Sequence, residues 1–253
     1  MIRIKNEAQI NGIRRSCKLL ARLYRELVPG IKAGMTTRDI DKLCVDFITA
    51  HGGTPAWYSQ DFPGAACISV NDEVIHGIPS KNRVIQEGDL VSLDIGIDLD
   101  GYISDSAVTV PVGTISERER LLVDTTTRAL EAGIAACRKG NRIGDISRAV
   151  YDVATAQGFG VVYEYCGHGV GLSVHEDPQI PNVPERGPNP RIVPGMVLAI
   201  EPMINMGTGD IVLHEDGWTV LTADGEVSCH MEHTVAVFED HTEILTMLGP
   251  EDE

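Results

Sequence analysis

No stretch of this 253-residue chain approaches the roughly 20 consecutive apolar residues that a membrane-spanning helix needs. Paired cysteines are missing as well. Cys17, Cys44, Cys67, Cys137, Cys166 and Cys229 are scattered with no C-x-x-C spacing, which argues against a zinc finger or a disulfide framework and for reduced thiols. Basic charge is scarce: 21 Lys and Arg stand against 37 Asp and Glu, so the net charge of −16 makes nucleic acid an unsuitable partner for the surface as a whole. The opening MIRIKNEAQINGIRR is charged and has no apolar core, so it does not read as a signal peptide. With no leader and reduced thiols, the expected location is the cytoplasm. The 43% hydrophobic and 23% charged composition is that of an ordinary globule, and the length supports a sizeable core.

What is present is periodic. Asn6 and Gln9 make a capping pair ahead of an apolar stripe at Ile10, Ile13, Cys17 and Leu20, which predicts a helix. Ser116 and Glu119 repeat the signal before a stripe through Leu121, Leu122, Ala129, Leu130, Ile134 and Cys137. Each is followed by another helical stretch, GMTTRDIDKLCVDFITAHG from Gly34 and GNRIGDISRAVYDVATAQG from Gly140. Aligned at an offset of 140 − 34 = 106, they share Gly34/Gly140, Asp39/Asp145, Ile40/Ile146, Asp46/Asp152, Thr49/Thr155, Ala50/Ala156 and Gly52/Gly158. The pattern predicts one domain, 1–253, of two related halves, roughly 1–112 and 113–253. Each half is a helix pair followed by strands, and a ligand site lies between them.

The strands carry the chemistry. DLVSLDIGIDLDGYISDSAVTVPVG holds two β-rich runs around Asp100-Gly101, a two-residue hairpin signal. With those residues at the tip, Asp94 faces Ala107 and Asp105 faces Gly96. Both carboxylates then project from one sheet face as diagonal neighbours, while Leu93, Ile95 and Ile97 point the other way. Two carboxylates so close on a half-buried face repel unless they share a cation. A solvated face is the alternative, and the flanking Val, Leu and Ile weigh against it. PGMVLAIEPMI sets Glu201 in an apolar run, where a lone carboxylate is costly, and SCHMEHTVAVFED sets Glu232 at the head of a strand. HMEH departs from the helical H-E-x-x-H zinc motif, and a strand sends Glu232 and His233 to opposite faces. His230 and His233 are therefore not counted as ligands, and His214 and His241 read as surface residues.

The stretch YCGHGVGLSVHEDP holds His168 and His175 among glycines, where bare backbone lets a metal or ligand approach both rings. Four carboxylates and one of these imidazoles suit two divalent ions of the Mn, Fe or Co type better than a structural zinc. Two ions about 3.5–4 Å apart can hold a hydroxide nucleophile and polarise a carbonyl, which is metal-assisted hydrolysis.

These residues also resemble a known family. VIHGIP at His76, SLDIG at Asp94, GYISDSA at Asp105, CGHGVG at His168, HEDP at His175, GMVLAIEP at Glu201 and MEHTVAV at Glu232 are similar, in order, to the motifs of type I methionine aminopeptidases. These are the short bacterial form of the pita-bread metallopeptidases, and the resemblance covers nearly the whole chain. It implies an α+β pita-bread fold, two pseudo-symmetric halves with a central antiparallel sheet backed by helix pairs. It implies removal of N-terminal methionine from nascent proteins and peptides with a small second residue, through a hydroxide held by two metal ions (Co, Mn, Fe, Zn or Ni).

The resemblance also assigns roles. Asp94, Asp105 and Glu232 would hold one ion; Asp105, His168, Glu201 and Glu232 would hold the other, with Asp105 and Glu232 bridging. His175 would bind the scissile peptide group and stabilise the tetrahedral intermediate, His76 would contact substrate near the amide nitrogen, and Glu201 would shuttle the proton. Cys67, Phe62 and Trp218 would line the methionine pocket. Val174, Ser59 and Gln60 stand where relatives can carry an aromatic residue, a tyrosine and a histidine, which bears on fine specificity. The implied partners are nascent polypeptide N-termini, met by a monomer without direct membrane or nucleic-acid contact; the acidic charge gives no support for a ribosome contact, which stays open.

Two alternatives follow. A proline-directed aminopeptidase or dipeptidase of the same fold usually carries an additional N-terminal domain, for which the first metal aspartate at residue 94 leaves no room. A non-catalytic pita-bread binding protein would have lost ligands, and all five are present. Lastly, Asp177 to Gly195 holds six of the 13 prolines and reads as a long stiff loop.

Overall fold

Helix α1 (Glu7–Leu27) starts where the sequence signals it, with Asn6 and Gln9 exchanging side-chain and backbone bonds at 2.9 and 3.0 Å. Helix α3 (Glu117–Ala136) opens on the same device at Ser116 and Glu119. The intervening helices α2 (Thr37–Ala50) and α4 (Ile143–Thr155) begin 106 residues apart, the offset read from the sequence. Their flanking glycines match in conformation: Gly34 and Gly140 have φ of 91° and 93°, and Gly52 and Gly158 have 78° and 75°. In α2 the capping box is reciprocal between Thr36 and Asp39. In α4 the Arg142 position has no such acceptor, and Asp145 alone reaches back to its N–H at 2.8 Å. The computed structural model that shows this describes residues 1–184 and 187–249.

The two helix pairs back a curled nine-stranded antiparallel sheet. Its centre is the hairpin of Leu90–Leu99 and Tyr102–Pro111, followed in order by Glu232–Val237, Val197–Ile200, Cys166–Gly169 and Glu176–Pro181. The hairpin register is the one the sequence dictates: Asp94 pairs with Ala107 and Gly96 with Asp105. Asp100 and Gly101, at φ of 57° and 80°, make the tip. The proline-rich segment departs from its expected form, because it begins as a strand. Glu176–Pro181 pairs with Cys166–Gly169 at the sheet edge, where proline is tolerated because one side of the strand needs no donors. Glu185 and Arg186 of that segment lie outside the described residues.

Three apolar clusters fix the layers. One packs Leu20, Leu23, Ile40 and Ile48 of α1 and α2 against Leu93, Ile95 and Ile97, the face of the hairpin opposite its carboxylates. A second packs Leu122, Ala129, Ile146 and Val150 of α3 and α4 against Leu198, Ile200 and Val235. The third, with Ile13, Trp57, Phe62, Cys67, Val174 and Val197, joins the halves below the carboxylates. Each fully buried Leu or Ile contributes roughly 1.5–3 kcal/mol relative to exposure, so the backing layers hold the sheet rigid under the site.

Candidate metal centre

Sheet pairing assembles the five expected ligands from both halves. Asp94 pairs with Ala107, Ala107 with Glu232, and continuing the register of His233 with Ile200 by one residue brings Glu201 beside Glu232. Asp105 lies one row along, and His168 pairs with Ala199 in the strand next to Glu232–Val237. All five side chains therefore share one face, and the small residues Gly96, Ala107 and Ala199 between them leave the carboxylates room. Asp94 and Glu201 are 201 − 94 = 107 residues apart, so the repeat seen in the helices continues, with one added residue, into the site.

The arrangement is electrostatically unfavourable without a cation. Asp94, Asp105 and Glu232 are 8, 2 and 2% exposed, and each has a buried oxygen (Oδ1, Oδ1 and Oε1) with no hydrogen-bond partner. Burial, then the charges of Asp94 and Glu201, pushes Asp105 well above the usual carboxylate range. Burial with Asp105, Glu201 and Asp94 does the same to Glu232. Burial pushes Glu201 up to about 8, and burial, opposed by His230 and aided by Glu201, pushes Asp94 up to about 7.

His168 shows what must lie among them. Its Nδ1 is 2.9 Å from the Gly169 carbonyl, which can only accept, so the proton sits on Nδ1 and Nε2 presents a lone pair. That lone pair faces Glu201 Oε1 at 3.4 Å and Asp105 Oδ2 at 3.6 Å. Burial and then His175 hold His168 down to about 4, so the ring is neutral at ordinary pH. Lone pairs facing one another at these distances are relieved by a proton or a metal ion between them, and four acidic groups take up more positive charge than one proton brings. One ligand atom each from Asp105, His168 and Glu232 lie within 4.8 Å of one another, of the order of twice a metal–ligand bond of roughly 2.0–2.2 Å. The donor set fits divalent metal.

All ten sequence-predicted residues line one cavity of about 160 Å³: the five above with His76, His175, Cys67, Phe62 and Trp218. His175 stands exposed at the mouth, its ring centroid 4.5 Å from that of His168. His76 has φ of 58°, a left-handed backbone rare outside glycine, and its ring meets Tyr165 and Trp218 edge-on at 5.6 and 6.4 Å. Phe62 and Trp218 form a T-shaped pair at 5.3 Å, and Cys67, paired with Asp94 in the sheet, has its thiol pushed well up by burial and then by Asp94. Gln60 also lines the cavity, whereas Ser59 bonds to the Ala56 carbonyl and Val174 is buried in the joining cluster.

Two functional neighbours escaped the sequence reading. Trp57 lines the cavity and donates its indole N–H to the Asp94 carbonyl at 3.1 Å. His230, set aside as a ligand, is 1% exposed, and its Nε2 lies 3.5 Å from Glu201 Oε2 with neither ring nitrogen hydrogen-bonded. Glu201 thus lies between two imidazoles. His233 does turn away as expected, to Thr246 Oγ1 at 2.8 Å, and His214 and His241 are exposed.

The glycines around His168 serve a different purpose from the one expected. A Cβ at Gly167 would stand 2.4 Å from the Ala199 carbonyl oxygen, and one at Gly169 2.3 Å from that of Asp177. They admit neighbouring backbone, so that the His168 strand packs close in the sheet; they do not open space for a ligand.

Known proteins resemble this chain in sequence and in fold. The family model described as Metallopeptidase family M24 matches residues 11–239. A methionine aminopeptidase of Treponema pallidum is 62% identical over 247 residues, covering 97% of this chain and 96% of that protein. The crystal structure of a methionine aminopeptidase from Thermotoga maritima matches with a TM-score of 0.95 at 40% identity, covering 98% of this chain and all of that one. A prolidase from Pyrococcus furiosus shares the fold alone, at a TM-score of 0.79 and 24% identity, and this chain covers 66% of its length. With the pita-bread sheet, the converging carboxylates and these relatives together, the chain belongs to the M24 metallopeptidases and, among them, to the methionine aminopeptidases.

Proposed function

We propose that this protein removes methionine from the N-termini of nascent proteins and peptides whose second residue is small, by metal-assisted hydrolysis. The observation that carries the reading is the His168 Nε2 lone pair facing the oxygens of Glu201 and Asp105 inside a buried four-carboxylate cluster. The charge of that cluster suits two divalent ions, from among Co, Mn, Fe, Zn and Ni. Asp94, Asp105 and Glu232 would hold one, and Asp105, His168, Glu201 and Glu232 the other. When bound, such ions activate water as a nucleophile and polarise the scissile carbonyl.

The chain's own groups supply the rest. Glu201, lining the cavity between His168 and His230, would take the nucleophile's proton and hand it to the leaving amine. His175, at the mouth of the cavity and held below the ordinary imidazole range by partial desolvation, would donate its N–H to the carbonyl oxygen as that oxygen gains charge. His76 would meet the substrate near its amide nitrogen, and its strained backbone, worth roughly 1–3 kcal/mol, fits a residue held for function. Cys67, Phe62 and Trp218 would take the methionine side chain, since a thioether packs well against ring edges.

We further propose that residues 1–253 act as one monomeric catalytic domain with halves near 1–112 and 113–253, working in the cytoplasm. Six free thiols support that location, and among the described residues no helix is long and apolar enough to cross a membrane. The test is to assay the purified protein, stripped of metal and then reconstituted with each ion, on Met-Ala-Ser and Ala-Pro peptides. Release of methionine from the first alone, restored by divalent metal, is expected. Metal-independent activity or cleavage of Ala-Pro would overturn the reading.

A further inference from the structure

His175 owes its position to a turn that the far end of the chain ties down. Glu176 follows His175 directly, and its Oε1 accepts the backbone N–H groups of Leu172 at 2.8 Å and Ser173 at 3.1 Å. Its Oε2 accepts from Lys5 Nζ at 2.8 Å. The two side chains of this ion pair are only 1 and 2% exposed. The N-terminal arm adds Arg3 Nη1 to Ser173 Oγ at 3.0 Å and the Lys5 N–H to the Gly195 carbonyl at 2.8 Å. The start of the turn is held by the Ile103 N–H on the Gly171 carbonyl at 2.8 Å, and Val174 is buried beneath it with Ile10 and Ile13 of α1.

A buried ion pair is an expensive way to hold an arm down, because apolar side chains of similar size would do so without desolvating two charges. What the pair achieves, and apolar contact does not, is direction: one carboxylate fixes three donors at three bearings and so sets the shape of the turn from Leu172 to Glu176. The His175 ring gets little such help. It stands exposed beside the His168 ring, so its aim follows from the backbone that carries it.

We propose that Lys5 and Glu176 are positioning residues: the N-terminal arm, through this buried pair, sets the turn that aims His175 at the reacting carbonyl. The inference rests on the role of His175 given above. A displacement near 1 Å at a group that acts in the transition state costs up to about 10²-fold in rate, so the clamp is kinetically significant.

The test is Lys5→Met in the wild-type and His175→Ala backgrounds, on metal-loaded protein with metal content, Tm, kcat and KM measured. In the wild-type background Lys5→Met should lower kcat by roughly tenfold or more, with metal content unchanged and KM little altered. In the His175→Ala background it should lower Tm by the same amount and leave kcat where His175→Ala put it. A second variant guards against simple misfolding: Lys5→Met with Glu176→Gln removes both charges and keeps an acceptor for Leu172 and Ser173, and should regain Tm while kcat stays low. An unchanged kcat in Lys5→Met, an equal loss in both backgrounds, or full recovery in the paired variant would overturn the clamp. A His175→Ala variant with wild-type kcat would instead remove the reading on which it rests.

Discussion

Replacing Glu201 by Gln should stabilise the metal-free protein at pH 8, although it deletes the group proposed to carry the reaction's proton. Burial raises the Glu201 carboxyl from 4.5 to about 8. Below pH 4.5 the folded and unfolded chains both hold this proton, and the group has no effect on stability. Between pH 4.5 and about 8 the unfolded chain ionises while the folded one does not, so stability falls as pH rises; above that the penalty is complete. At about 1.4 kcal/mol per pH unit, it reaches on the order of 5 kcal/mol. For a chain of this length that corresponds to roughly 10–20 °C in Tm.

Gln has nearly the same shape, does not ionise, and can face His168 and His230 as Glu201 does. Thermal melts of metal-stripped protein from pH 4 to pH 9 should show the wild-type Tm dropping with rising pH and Glu201→Gln dropping less, with the variant ahead at pH 8. Some slope should persist in the variant, because Asp94 is pushed up to about 7. Divalent metal should lift the wild-type Tm most at high pH. Parallel pH curves for the two proteins, or a variant less stable throughout, would refute the reasoning.

Asp105→Ala removes a carboxylate proposed to serve both ions, so elemental analysis should find both metals lost and activity almost abolished; two metals per chain would contradict bridging. His175→Ala should retain its metal and lose about 10²–10³ in kcat, the effect of one missing donor, and a raised KM with unchanged kcat would reassign it to simple substrate binding. In the Cys67, Phe62 and Trp218 pocket, norleucine should be released faster than leucine and more slowly than methionine. It keeps the length without the sulfur, and a misfitting branch costs about 1–3 kcal/mol; equal kcat/KM for norleucine and leucine would refute the narrow slot.

What was legible in the sequence was local. The caps at Asn6 and Ser116 and the Asp100-Gly101 turn each depend on residues a few positions apart, and the turn alone sets the register that puts Asp94 and Asp105 on one face. The meeting of Glu232 and Glu201 with that pair depends on strands far along the chain from the hairpin, Val197–Ile200 and Glu232–Val237, and the sequence supported it only through the repeat and the family resemblance. Trp57 reaches the site from an irregular turn that carries no periodic signal. His230 did have a signal. The alternation that separates Glu232 from His233 returns His230 to the side of Glu232. The prolines of the segment after His175 outweighed its strand pattern, because a sheet edge accepts residues that a central strand refuses.

The central claim is that buried carboxylates from two related halves and the lone pair of His168 hold divalent metal. Anomalous diffraction from crystals grown with Mn²⁺, measured at the manganese edge, tests it most directly. The account predicts two peaks about 3.5–4 Å apart, both touched by Asp105 and Glu232, one of them also by Asp94 and the other by His168 Nε2 and Glu201. No peak between these side chains, or a peak on the far side of His168 with the carboxylates hydrogen-bonded to one another, would contradict it.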